Sequence, residues 1–196
     1  MALRSKPATG EVAPALKEQL TLLSFLVLFV GIVSTETYYM GFGIRYQLLD
    51  LSLTHLIYRG LTSILVSPWL IVVYLLAIAW LAGGAEWFSG RQSRLALLVQ
   101  PTSYVLIAAL VTVAYFAAVG AGAKAATVDL SASFSNLPVV QEIMDKNGKP
   151  LPYHGDRLLF AGKDTLVVFA AAATEAESPF IHLLRRDDLG AITVTR

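Results

Sequence analysis

The sequence predicts an α-helical membrane protein, with three transmembrane helices and one interfacial amphipathic helix, followed by a small C-terminal antiparallel β domain. The chain of 196 residues is 56% hydrophobic and only 15% charged, whereas about 25% of the residues of a soluble domain are charged. Charged residues are absent from three apolar runs, at residues 19–35, 60–85 and 95–123. From residue 125 onward charges return, and short β-type runs alternate with turn residues.

The boundaries of these parts follow from the lengths of the apolar runs. A helix that spans a bilayer needs about 20 predominantly apolar residues. The basic residues before the first run are also typical of a signal peptide, but no clear small-x-small cleavage site follows, so we expect a retained helix. The predicted order is a tail at residues 1–18, a transmembrane domain at 19–124 with spans at about 19–38, 64–84 and 102–123, and an extramembrane β domain at 125–196.

The segment from residue 36 to residue 60, ETYYMGFGIRYQLLDLSLTHLIYRG, separates the first two apolar runs and is unusual for a membrane connection. It carries charged residues among many aromatic and aliphatic ones. At residues 46–60 the pattern predicts a helix, because Asp50, Thr54 and Tyr58 recur at spacings that share one helical face. Such a helix lies in the membrane interface or lines a water-filled cavity.

Six residues of this segment are the candidates for a pore or a gate: Glu36, Arg45, Asp50, His55, Tyr58 and Arg59. An ionisable side chain at the centre of a membrane costs about 2.5–3.5 kcal/mol, so residues kept there pair with one another or line a path for water. The alternative is a solvated face of an interfacial helix, with Arg59 extending its guanidinium to the lipid headgroups. Both interpretations fit the sequence.

Glycine, proline and alanine mark where the helices end or pack. Gly43 predicts a turn after the first helix, and Pro68 predicts the first turn of the second. In the third helix, Ala114, Ala118 and Gly122 are spaced four residues apart. Small residues at this spacing let another helix approach closely, so these three are the candidates for helix packing.

Basic residues near the ends of the spans favour a cytoplasmic N-terminus. If the chain has three spans, five basic residues lie on the same side of the membrane as the N-terminus: Arg4, Lys6, Lys17, Arg91 and Arg94. Three lie on the other side: Arg45, Arg59 and Lys124. Because positively charged residues are enriched on the cytoplasmic side of membranes, the β domain is expected outside the cytoplasm.

Beyond residue 125 the sequence alternates short β-type runs with turn signals. The runs are LPVVQEIM, RLLFA, TLVVFAAAA, FIHLL and AITVT, and Asn147-Gly148 after the first is a strong hairpin signal. Five short strands predict a small barrel or a curled antiparallel sheet. Such a domain is near the lower size limit for independent stability, so we expect it to pack on the membrane part or on copies of itself.

The sequence contains no signature of catalysis or of a cofactor. Cysteine is absent, which excludes disulfides and thiol chemistry. No Walker loop, zinc-protease helix, nucleophile elbow or dinucleotide-binding glycine pattern occurs. A loop position is expected for His154 and an exposed strand position for His182. We therefore expect no enzyme, no cofactor and no metal site.

The charge of the β domain limits its partners. Residues 125–196 contain seven Lys or Arg and nine Asp or Glu residues, a net charge of −2. A broad nucleic-acid surface requires clustered positive charge, so it is excluded. The remaining partners are the lipid bilayer, copies of this chain, and a partner protein or small ligand at the β domain.

The arrangement of the chain resembles that of small membrane subunits of bacterial anti-phage defence systems, such as Kiwa and Hailong. The similarity lies in the few helices, the aromatic segment with Tyr38-Tyr39 and Phe42-Gly43-Ile44, and the small terminal domain. The resemblance implies a homo-oligomeric protein of the bacterial inner membrane, in some systems an ion channel that opens on infection. The expected function is therefore that of a channel or pore-type effector subunit. The alternative is a non-conducting membrane anchor or sensor whose β domain binds a partner protein.

Overall fold

A computed structural model of the chain describes residues 12–76, 96–131, 135–170 and 180–195. These residues form four α-helices: α1 Val12–Gly41, α2 Leu53–Val66, α3 Trp69–Leu76 and α4 Ala96–Leu130. They also form five strands: β1 Val139–Asp145, β2 Arg157–Ala161, β3 Thr165–Phe169, β4 Ile181–Arg185 and β5 Leu189–Thr195. The chain divides into two compact units, one of Met1–Ile32 with Ile57–Ala118 and one of Val33–Leu56 with Val119–Arg196.

Two of the helices are long and apolar enough to cross a membrane. They are the Leu20–Gly41 part of α1 and the Val105–Leu130 part of α4, which overlap most of the predicted first and third spans. Large apolar side chains stay exposed on both helices, including Phe25 and Phe116. A monomer in water rarely exposes such faces, whereas lipid accommodates them without cost.

The predicted second span, residues 64–84, is not one straight helix over its described part. Helices α2 and α3 meet at a bend of 94° and together are long and apolar enough to form a broken span or a re-entrant loop. The bend lies at Ser67 and Pro68, where the proline ring and its missing N–H prevent α2 from continuing. Residues 77–84 of this predicted span, like most of the predicted tail, lie outside the described residues.

The first unit is held together by close contact between α1 and α2. Gly60 of α2 lies against the backbone of Val27 and Gly31, and a Cβ at this position would collide with the Val27 carbonyl. A small apolar cavity of about 50 Å³ lies between Leu26, Ile64 and other side chains of α1, α2 and α3. The three helices therefore pack as a group.

The five strands form one antiparallel sheet in the order β4-β3-β2-β1-β5. Strands β4 and β5 are at opposite ends of this order, yet only the short 3-10 turn Arg186–Asp188 separates them in the chain. Four spacings of about 4.8 Å would place the edges of a flat sheet about 19 Å apart. A three-residue 3-10 turn, at about 2 Å per residue, cannot span that distance. The sheet must therefore curl, as the sequence predicts.

Both faces of this sheet are covered at β3. Leu166 and Val168 of β3 belong to one apolar cluster together with Val140 and Ile143 of β1. The alternate residues of β3, Val167 and Phe169, belong to a second cluster on the other face. This arrangement explains why β3 reads as the continuous apolar run TLVVF, since a strand buried on two faces does not alternate with polar residues.

The strand runs of the sequence match the observed strands closely, but the start of the β domain differs. The helix α4 continues to Leu130 and β1 begins at Val139, so the boundary predicted at residue 125 is too early. The predicted turn at Asn147-Gly148 is present, with a left-handed φ of 77° at Gly148. Beyond this turn, the hairpin continues through an isolated bridge between Met144 and Pro150 and a 2.8 Å hydrogen bond from the Leu151 N–H to the Ile143 carbonyl.

Two carboxylates of the β domain have pKa values shifted in opposite directions. Asp145 accepts hydrogen bonds from the backbone N–H groups of Lys149 and Asn147, both at 2.8 Å. The bond from Lys149 is the largest cause that lowers the pKa of Asp145. Burial raises the pKa of Asp156, and the nearby His182 offsets part of that shift.

These shifts predict opposite dependences of stability on pH. Asp145 stabilises the fold above its ordinary pKa of 3.8, and this contribution is lost as the pH falls through its lower folded value. Asp156 disfavours the folded state once the pH rises above 3.8. We therefore expect Asp145→Asn to flatten the acid limb of a pH titration of the unfolding temperature. Asp156→Asn is expected to raise the unfolding temperature at neutral pH, and identical profiles for both variants would contradict this assignment.

Candidate functional site

The end of α1, the connection that follows it and the β sheet share one hydrophobic core. Buried side chains of the helix end and connection meet buried side chains of the sheet and α4: Tyr38, Tyr39, Phe42, Ile44 and Leu49 with Ala126, Leu159, Val167 and Phe169. The rings of Phe42 and Phe169 are 5.1 Å apart in an edge-to-face arrangement, which aromatic pairs prefer. The aromatic segment is thus part of the core of the second unit. We call this set the juxtamembrane core.

Helix α4 joins the juxtamembrane core through its last turns. A Cβ on Gly41 would lie 2.7 Å from the Cβ of Ala126, and the Tyr38 hydroxyl donates a 2.7 Å hydrogen bond to Asp129. Earlier along α4, a Cβ on Gly122 would collide with the Ser34 carbonyl. Later residues of α1 therefore meet later residues of α4, so within this unit the two helices run in the same direction.

The three helix-packing candidates of α4 are buried. Ala114 and Ala118 are both 0% exposed, and Gly122 is buried against α1 at Ser34 and Thr37. No side chain larger than hydrogen fits at Gly122 without moving the helices apart. This close approach is the kind of contact that a small-xxx-small spacing allows.

The helix predicted at residues 46–60 is wrong in its extent. Residues Tyr46–Leu48 form a single 3-10 turn, and α2 begins only at Leu53. Ser52 ends the connection as an N-cap, because its side-chain oxygen accepts a hydrogen bond from the backbone N–H of His55 at 3.2 Å. The buried side chains of Ile44 and Leu49 tie the preceding residues to the juxtamembrane core. The predicted helical face that joined Asp50 to Thr54 and Tyr58 therefore does not form.

The six pore or gate candidates separate into two groups. Arg45 and Asp50 are exposed on the connection between α1 and α2, and Tyr58 is 65% exposed on α2. Glu36 on α1 and His55 and Arg59 on α2 are half-buried. The Nε2 atom of His55 and one guanidinium nitrogen of Arg59 are shielded from solvent. His55 and Arg59 are four residues apart, so they lie on the same side of α2.

The sequence pattern does not identify the buried hydroxyls of α1. Ser34 and Thr35 are 1% and 0% exposed, although both lie in the apolar first span. In a run of aliphatic residues a single Ser-Thr pair is an ordinary occurrence, and only its position on the buried side of the helix makes it informative. Ser34 and Thr35 each lie four residues before a tyrosine, Tyr38 and Tyr39. This helical spacing was the available signal that the hydroxyls share a face with those tyrosines.

A groove of about 430 Å³ lies at one end of the β sheet. Apolar side chains such as Leu151, Tyr153 and Leu189 line it, and charged side chains of both signs surround them. Lys146 and Asp188 form an exposed ion pair there at 3.6 Å. A surface ion pair of this kind adds little stability, so these charges remain available to a ligand.

The histidines of the β domain have structural surroundings. His154 is exposed in a loop, as predicted, and its Nδ1 is 2.6 Å from the carbonyl oxygen of Gln141. His182 is half-buried rather than exposed, because its ring packs 4.9 Å from that of Tyr153. Among the side chains that the structure describes, no group of three or more His, Asp or Glu residues is placed to hold a metal ion.

No protein family, no curated protein and no solved structure matches this chain. The juxtamembrane core, the half-buried side chains of α2 and the groove of the β domain are therefore the features on which a functional assignment must rest.

Proposed function

We propose that this chain is an integral membrane protein that assembles with copies of itself into a channel or pore-type effector. The observation that carries the proposal is the juxtamembrane core, in which the ends of two apolar helices share one packed interior with a β domain. A displacement of the sheet would be transmitted to both helices, because packed interiors are stiff and transmit strain. This is the coupling that a gated pore needs.

The direction of the helices supports three crossings of the membrane. Helices α1 and α4 run in the same direction where they meet beside Gly122 and Ala126. If both cross the bilayer, the chain between them must cross back once, and the bent pair α2 and α3 begins that return. The β domain then lies on the side where α1 and α4 end. With the N-terminus in the cytoplasm, that side is outside the inner membrane.

The proposal requires several copies because three helices are too few to enclose a path for water. Closed rings of identical subunits are the usual solution. Large apolar side chains are exposed on α1, α2 and α4, which leaves faces for lipid and for neighbouring copies. Half-buried Arg59 and His55 on α2 provide the polar lining of the path. No enzymatic activity and no cofactor form part of the proposal, and antiviral defence is the process that the resemblance implies.

A second candidate function is favoured by the groove of the β domain. A mixed apolar and charged groove of about 430 Å³ has the size of a site for a small molecule or a peptide segment. A non-conducting membrane sensor that binds a partner protein there would need no pore. Ion flux through the purified protein in liposomes distinguishes this function from the first.

Neutralising Arg59 tests the proposed path. We expect Arg59→Gln to lower the ion flux per assembled oligomer several-fold, because the variant removes a fixed charge from the lining. The matched control is Lys124→Gln, which removes an exposed charge from α4 and should leave that flux unchanged. Flux is measured in liposomes and divided by the amount of intact oligomer. A normal flux per oligomer with a reduced yield of oligomer would show that Arg59 only stabilises the structure.

A further inference from the structure

The buried side of α1 changes its chemistry along the helix. Residues three or four positions apart are all buried, and they proceed from aliphatic through small and polar to aromatic: Val27, Val30, Gly31, Ser34, Thr35, Tyr38, Tyr39 and Phe42. The small polar part lies one turn before the aromatic residues of the juxtamembrane core. A buried hydroxyl is normally kept in a protein interior only when it has a hydrogen-bond partner.

Thr35 departs from that rule. Its Oγ1 atom is buried and has no hydrogen-bond partner in the part of the chain that the structure describes. Other helical threonines donate to the carbonyl group four residues earlier, at 2.9 Å from Thr37 to Val33 and 2.8 Å from Thr112 to Ala108. The Thr35 hydroxyl has therefore lost water without gaining a partner, which raises the free energy of this arrangement.

The contact beside Thr35 permits a shift of α1. Helix α4 meets α1 through Gly122, where a Cβ would collide with the Ser34 carbonyl and lie 2.9 Å from the Cβ of Thr37. Glycine has no side chain to interlock with the facing helix, so a small rotation or translation of α1 past α4 breaks few contacts there. Shifts of packed helices by 1–2 Å are a common way for proteins to switch between two states.

We propose that α1 has a second packing arrangement in which the Thr35 hydroxyl faces water, and that Thr35 is a gating residue. In that arrangement, which we call the wet arrangement, the hydroxyl regains a hydrogen bond, which offsets the packing contacts that are lost. Tyr38 and Tyr39, one turn further along α1, pack against the sheet. A ligand that binds the β domain more tightly in one packing arrangement of α1 than in the other would therefore shift the equilibrium between these two arrangements. The assignment of the wet arrangement to the conducting state rests on the proposed function, but the existence of that arrangement does not.

Thiol labelling tests whether position 35 meets water. The chain contains no cysteine, so a single introduced thiol reports one position. Thr35 and Val30 are both fully buried side chains of α1, which makes Val30→Cys the matched control for Thr35→Cys. Water-soluble thiol reagents attack only thiolates that reach water. In membranes we expect the Thr35→Cys variant to react about tenfold faster or more, because a minor state exposes it. Equal rates at the two positions would overturn the proposal.

The substitution Thr35→Val supplies a second, independent readout. Valine keeps the shape and removes the unpartnered oxygen, so we expect an unfolding temperature about 2–4 °C higher in detergent. The same variant should lower ion flux per oligomer, since it removes the group that favours the wet arrangement. Thr37→Val, which removes a hydroxyl with a partner, should show no such rise in the unfolding temperature. A lower unfolding temperature for Thr35→Val would overturn the proposal. Labelling and unfolding both remain decisive if the protein conducts no ions.

Discussion

Replacing Phe169 by alanine is expected to unfold the β domain and to separate it from the ends of α1 and α4. Phe169 is 0% exposed at the end of β3 and packs against Phe42 in the juxtamembrane core. Removing a buried phenylalanine costs about 3–5 kcal/mol, which is a large part of the 5–15 kcal/mol that stabilises a typical domain. Limited proteolysis of the purified protein should show rapid cleavage within residues 135–195.

The control for this variant is Phe180→Ala, at a residue that precedes β4 and is 77% exposed. An exposed substitution changes stability by less than about 0.5 kcal/mol, so its proteolysis should match that of the parent protein. Equal protease resistance of the two alanine variants would show that Phe169 does not support the juxtamembrane core.

The second large effect is expected at Gly122. Leucine at this position would force α1 and α4 apart, because even a Cβ collides with the Ser34 carbonyl. Overpacking of a close contact costs about 1–3 kcal/mol or more, and a backbone carbonyl cannot move aside as a side chain can. We expect Gly122→Leu to reduce the folded, membrane-inserted protein severely, as measured by the monodisperse fraction in size-exclusion chromatography.

Gly120→Leu is the matched control, two residues earlier on the same helix. Gly120 is exposed, and a Cβ there would meet no atom within 4 Å. Both variants gain the same helix propensity, which favours leucine over glycine by about 0.5–1 kcal/mol. A difference between them therefore reports the contact with α1. If both variants gave normal monodisperse protein, the close approach of α1 and α4 would be absent.

The strands are the best predicted part of this structure because local signals bracket each of them. RLLFA lies between turn residues and forms β2 without a shift in its boundaries. In TLVVFAAAA the run of apolar residues continues past the strand, and β3 ends at Phe169. Periodicity alone cannot show where pairing stops, since that depends on the neighbouring strand.

The candidate site was harder to predict because tertiary contacts decided its structure. Residues 46–52 have a helical pattern, but Ile44 and Leu49 are buried in the juxtamembrane core and hold the backbone away from a helix. The Ser52 N-cap was a usable signal for the true start of α2. Nothing in the sequence indicates that Tyr38 and Phe42, which are typical of a membrane interface, pack beneath a sheet that begins about a hundred residues later.

The number of copies in the lipid-reconstituted protein tests the central claim most directly. A pore of three-helix subunits requires a closed ring, since one copy cannot surround a path for water. Mass measurement of single complexes in lipid nanodiscs is expected to give one discrete oligomer of several copies, and the same oligomer should release ions from liposomes. A strictly monomeric protein in nanodiscs would contradict the pore and leave the non-conducting sensor as the function.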